Sequence, residues 1–159
     1  MQELIPERTS CTTRAVLHHR SVLHQRSRAP LAQGTAHHVR DRLEARIRPP
    51  RQGASTCGIV DLELLYSAPS PTAYSTLAEA LTAMPRVPVT DAVVDRALEV
   101  QGLLAAKAQH RSVSLPDLLL AACAESAGLA VLHYDADFDR IAELTGQPSQ
   151  WVVPRGSVP

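Results

Sequence analysis

The stretch LAVLHY at 129–134 constrains this chain most. It is short and almost entirely apolar, and a turn-forming Gly128 precedes it. A strand that shows no polar alternation is buried on both faces, which is the condition of a parallel sheet covered by helices. The segment before it, LPDLLLAACAESAGL, is apolar and too long for a strand, so it reads as a buried helix. Pro116 stands in its first turn and Gly128 just past its end, the usual asymmetry of helix termini. The segment after it, DADFDRIAELTG, reads as a loop and short helix beginning near Phe138, and SQWVVP as a last strand.

The same alternation runs back through the chain. STCGIVDLELLYSA reads as an apolar helix entered through Ser and Thr, and PTAYSTLAEALTA at 71–83 as a helix with Pro in its first turn. RVPV at 86–89 is a short strand, and Thr90 caps a helix from Asp91 to about Gln109. Strands alternating with helices predict an α/β fold with a central parallel sheet and helices on both sides, a three-layer α/β/α arrangement.

The first third reads differently. Residues 1–55 hold ten Lys and Arg against four Asp and Glu, a net of +6, and residues 56–159 hold six against twelve, a net of −6. All five aromatic residues, Tyr66, Tyr74, Tyr134, Phe138 and Trp151, lie in the second part. In the first part only AVL at 15–17, SVL at 21–23 and the helical stripe Val39, Leu43, Ile47 look foldable, and RPPRQG at 48–53 breaks that helix. The expected organisation is a poorly conforming segment, 1–54, and the main part of a single domain, 55–159. The abrupt change suggests that residues 1 to about 33, and 48–54, are diverged or come from a shifted reading frame. The paired histidines His18-His19 and His37-His38 lack the spacing and companion ligands of a transition-metal site. With no 18-residue apolar run and no apolar leader, a membrane span or secretion is not expected. Three cysteines without a CxxC, Cys11, Cys57 and Cys123, point to a reducing, cytoplasmic setting, with the last two as small buried apolar groups.

Three acids stand where solubility does not call for them. Glu63 shares a helix face with Ile59, Leu62 and Tyr66, Asp117 sits in the first turn of the apolar helix, and Asp135 is close behind the buried strand. Each has a plain alternative: a rim residue, a carboxylate favoured by the helix dipole, a helix cap. In a parallel α/β sheet, strand ends and the helix starts beside them share the edge where ligands bind. Asp117 and Asp135 both fall on that edge, within reach of Glu63. Carboxylates gathered there repel unless a cation neutralises them, and hard oxygen donors suit magnesium or manganese. A calcium loop started at Asp135 would require Gly at its sixth position and Glu at its twelfth, where Arg140 and Gly146 stand. A DxD aspartyl nucleophile would come near the first strand, and no phosphate-cradling glycine motif occurs.

The succession STCGIVDLELLYSA, HRSVSLPDLLLAACAESAGLAVLHYDADFDRIAELTG, WVVPRGS resembles the PIN-domain ribonucleases, most closely the VapC-type toxins of bacterial toxin–antitoxin pairs. It covers roughly residues 55–157. The resemblance implies a divalent cation, Mg²⁺ or Mn²⁺, held by Glu63, Asp117, Asp135 and Asp137, which act as the catalytic set, while Asp139 matches no fixed position and reads as a solvated acid. It implies an RNA substrate cut to a 5′-phosphate and a 3′-hydroxyl, a homodimer, and a cognate antitoxin that blocks the site. His110 reads as a cation at a helix C-terminus, with Arg111 open to a phosphate contact. The family also carries an aspartate at the end of its first strand. Setting VLH at 22–24 on that strand puts Gln25 there instead. The alternative to an active enzyme is therefore an impaired PIN module that dimerises or binds antitoxin without cleaving RNA.

Overall fold

The computed structural model describes residues 54–152 and 154–156 with their side chains, and the backbone of 15–17. Among the described residues, five parallel strands form one sheet in the order β3-β2-β1-β4-β5. They are β1 (Ala15–Leu17), β2 (Ala54–Cys57), β3 (Arg86–Val87), β4 (Ala130–His133) and β5 (Ser149–Trp151). The helices are α1 (Gly58–Tyr66), α2 (Pro71–Thr82), α3 (Asp91–Ala106), α4 (Leu115–Ser126) and α5 (Asp137–Thr145). Every residue of β4 is buried, so the sheet is covered on both faces there, as LAVL demanded.

Two sequence readings need correction. Ser55 and Thr56 are not a helix entry but buried residues of β2, and α1 starts after Cys57. Strand and helix follow with no loop between them, and a continuous apolar run hides such a junction. VLH at 22–24 lies outside the described residues, among which the strand paired with both β2 and β4 is AVL at 15–17. The residue that follows it is His18, which removes the ground for setting Gln25 at the strand's end. Gln25, the 39–47 helical stripe, Cys11 and the histidine pairs lie outside the described residues.

Helix ends follow their local chemistry. Ser70 and Thr90 accept bonds from the backbone N–H groups of Ala73 and Val93, and both α2 and α4 have Pro in the first turn. Gly128 and Gly146 take positive φ, 63° and 74°, just past α4 and α5, where a side chain would be strained. The core joins α1, α3, α4 and α5 to the sheet through Val60, Leu104, Leu120, Val131, Phe138 and Ile141. Burial of each large side chain contributes about 2 kcal/mol. Cys57 and Cys123 are both free thiols in this core, as small apolar groups should be.

Candidate metal centre

Because all strand pairs are parallel, the strand ends and the starts of α1, α4 and α5 lie at the same edge of the sheet. Asp117, Asp135 and Asp137 meet at this edge: one carboxylate oxygen of each lies within 4.8 Å of the other two.

Each carboxylate is fixed by local structure. Ser114 caps α4 by accepting from the Asp117 N–H at 3.3 Å, and its hydroxyl donates back to Asp117 Oδ2. This reciprocal arrangement holds a fully buried carboxylate in one direction. Asp135 accepts from the Asp137 N–H at 3.0 Å, so its side chain closes the turn that starts α5. Its own N–H donates to Nδ1 of the buried His133 at 3.2 Å. His133 is in turn packed between Phe138 and Trp151. Asp137 ion-pairs with Arg140 on the next turn, and Arg140 also donates to the Ser112 carbonyl at 3.3 Å, linking α5 to the loop before α4.

The donor set fits a small hard cation. Around an octahedral ion with oxygen ligands at about 2.1 Å, neighbouring donors stand about 3.0 Å apart and opposite donors about 4.2 Å. A spacing within 4.8 Å is only slightly wider than that. Three carboxylates also supply the anionic charge that such an ion requires.

The structure does not bring Glu63 into this group. Glu63 is part-buried on α1, and its expected face is not a buried one: Leu62 and Tyr66 are 69% and 91% exposed. The helix instead turns Val60 and Asp61 inward. Asp61 is the acid that the sequence reading missed. It accepts from Thr56 Oγ1 at 2.5 Å and pairs with Arg86 at 2.6 Å. Thr56 and Arg86 are register partners in β2 and β3, so they present their side chains on one face. Asp139 is also corrected: it is not simply solvated. It accepts from the Trp151 indole N–H at 3.1 Å and lies 3.5 Å from Arg155. Two signals were available in the sequence: S-x-x-D at 114–117 for the cap, and the three-residue spacing of Asp137 and Arg140.

The chain resembles known proteins in sequence and in fold. The PIN domain family profile matches residues 31–144. Ribonuclease VapC18 of Mycobacterium tuberculosis (strain ATCC 25618 / H37Rv) is 49% identical over 104 residues, 64% of this chain and 76% of that protein. Ribonuclease VapC51 of the same strain is 52% identical over 100 residues, 63% of this chain and 72% of that protein. Among solved structures, the DNA-bound VapBC crystal structure from Salmonella typhimurium matches with a TM-score of 0.61 at 16% identity, over 89% of this chain and 99% of that one. That last likeness speaks for the fold. The chain belongs to the PIN domain family, among its VapC members.

Proposed function

We propose that this chain is a metal-dependent endoribonuclease, the toxin of a toxin–antitoxin pair, and that Asp117, Asp135 and Asp137 hold its divalent cation, Mg²⁺ or Mn²⁺. The observation that carries this reading is the convergence of three carboxylates within 4.8 Å at the ligand-binding edge of a parallel sheet. The ribonuclease names of the VapC relatives support the substrate class.

A bound cation supplies Lewis acidity toward a phosphoryl oxygen and makes water a better nucleophile. The chain's own residues supply the rest. Ser114 keeps Asp117 aimed at the cluster, and the Asp135 turn keeps the second carboxylate in place. Arg140 balances Asp137 and ties α5 to the loop before α4. Glu63, outside the close group, acts at longer range by orienting or deprotonating the attacking water. In-line attack then breaks the phosphodiester, leaving a 5′-phosphate and a 3′-hydroxyl.

A cognate antitoxin as partner is supported by the VapBC toxin–antitoxin complexes whose fold this chain shares. Assembly as a homodimer and a cytoplasmic location belong to the same reading; no helix among the described residues is long and apolar enough to cross a membrane. The test is an RNA cleavage assay with Mg²⁺, comparing the chain with its Asp117→Asn variant. Cutting that needs the metal and vanishes in the variant is expected. Equal cutting by both would refute the assignment. If the chain binds a cognate antitoxin or dimerises but cuts no RNA with Mg²⁺, the impaired-module reading replaces it.

A further inference from the structure

The main part of the chain carries a net charge of −6, so a polyanion must be met by local cations. Three of its six basic residues share one construction. Arg86, Arg140 and Arg155 each pair with a single carboxylate in the first turn of a helix: Asp61 of α1, and Asp137 and Asp139 of α5. Their side chains remain 59%, 45% and 70% exposed. Arg96 makes the contrast. It is 33% exposed and spends its guanidinium on two acids, Glu99 and Glu125, fastening α3 to α4.

A guanidinium has five N–H donors, and one carboxylate occupies one or two of them. The Arg140 and Arg155 pairs, open to solvent on both sides, contribute little to stability. What the single carboxylate does is fix the direction of the arginine, so less rotamer freedom is lost when the remaining donors meet a ligand. Arg155 is steadied further by lying over the Trp151 ring, 5.7 Å from its centroid.

The strand order spreads these groups along the edge that holds the carboxylate cluster. Arg86 is on β3, at one border of the sheet; Arg140 is in the helix that follows β4; Arg155 follows β5, at the other border. Four steps between neighbouring strands span about 19 Å. Planar, bidentate donors set out in a row are what a phosphodiester backbone requires.

We propose that Arg86, Arg140 and Arg155 form a backbone-binding track that lays single-stranded RNA across the strand-end edge of the sheet, with the phosphate to be cut at the carboxylate cluster. This rests on the ribonuclease reading above. The track reads phosphates and not bases, so it supplies affinity and position without sequence preference.

The test uses the full chain carrying Asp117→Asn, which cannot cut, and a fluorescein-labelled single-stranded oligoribonucleotide of mixed sequence. Anisotropy gives the binding constant over a series of KCl concentrations. Arg155→Gln, Arg140→Gln and the double variant Asp61→Asn/Arg86→Gln (which leaves no buried carboxylate without its cation) are each expected to weaken binding several-fold. Each should also flatten the slope of log K against log salt by about 0.7, the increment for one phosphate contact on a single strand. A purely structural role would not change that slope. Arg155→Gln touches only the surface and keeps the test valid if the double variant folds poorly. RNA binding with unchanged slopes in all three would overturn the track while leaving cleavage by the unsubstituted chain intact. Absence of both RNA binding and Mg²⁺-dependent cleavage would instead remove the ribonuclease reading, and the track with it.

Discussion

Asp117→Asn should make the metal-free protein more stable and remove its response to divalent cations. The three cluster carboxylates offer oxygens within 4.8 Å of one another. At an effective dielectric constant near 20, two unit charges at that distance repel by about 3.5 kcal/mol. Asp117 takes part in two such pairs, so neutralising it relieves about 7 kcal/mol of gross repulsion. Arg140 beside Asp137, and the helix N-termini under Asp117 and Asp137, already offset much of this. The net gain is on the order of 2 kcal/mol, or about 5 °C in melting temperature for a chain of this size. Asparagine keeps an acceptor for the Ser114 hydroxyl, so the cap of α4 survives. In the unsubstituted protein, a cation at a hundredfold its dissociation constant adds about 2.7 kcal/mol, and the melting temperature rises by a similar 5–10 °C, roughly. Thermal melts in EDTA and in Mg²⁺ measure both effects. A variant that melts well below the parent in EDTA, or gains as much from Mg²⁺, would refute the reasoning.

The remaining predictions concern residues with separable roles. Glu63→Gln should slow RNA cleavage at least about a hundredfold, the scale of a lost proton-transfer group, while retaining most of the Mg²⁺-induced rise in melting temperature. Asp61→Ala should cost about 2 kcal/mol in urea denaturation, since it removes the Thr56 hydrogen bond and leaves Arg86 without its anchor. Leu104→Ala, at a fully buried core position, should cost about 2–5 kcal/mol in the same experiment without altering metal affinity. Gly146→Ala, at φ 74°, should destabilise α5's end by about 1 kcal/mol.

Much of this fold was legible because burial and helix punctuation act locally. LAVL had to lie in a covered parallel sheet, and Pro116, Thr90 and Gly128 mark helix ends through backbone rules that need no distant partner. Asp117 and Asp135 could be set on one edge because parallel topology fixes which ends meet, whereas Asp137 entered only through the family resemblance. What escaped depends on partners far apart in the chain. Asp61 is made buriable by Arg86, twenty-five residues away, and no helical period reveals that. Asp139 looked solvated because its partners, Trp151 and Arg155, arrive only with the last strand. Glu63 was judged by a face shared with Leu62 and Tyr66, which the fold leaves exposed. VLH was set on the first strand because it is as short as AVL and nearly as apolar, and only pairing with β2 and β4 selects AVL.

Asp117, Asp135 and Asp137 are proposed to share one divalent cation. Crystals soaked in Mn²⁺, with anomalous scattering recorded at the manganese edge, test it most directly. One strong peak per chain is expected, bonded to carboxylate oxygens of all three residues and absent in Asp117→Asn. A peak elsewhere on the chain, or one that persists unchanged in the variant, would contradict it.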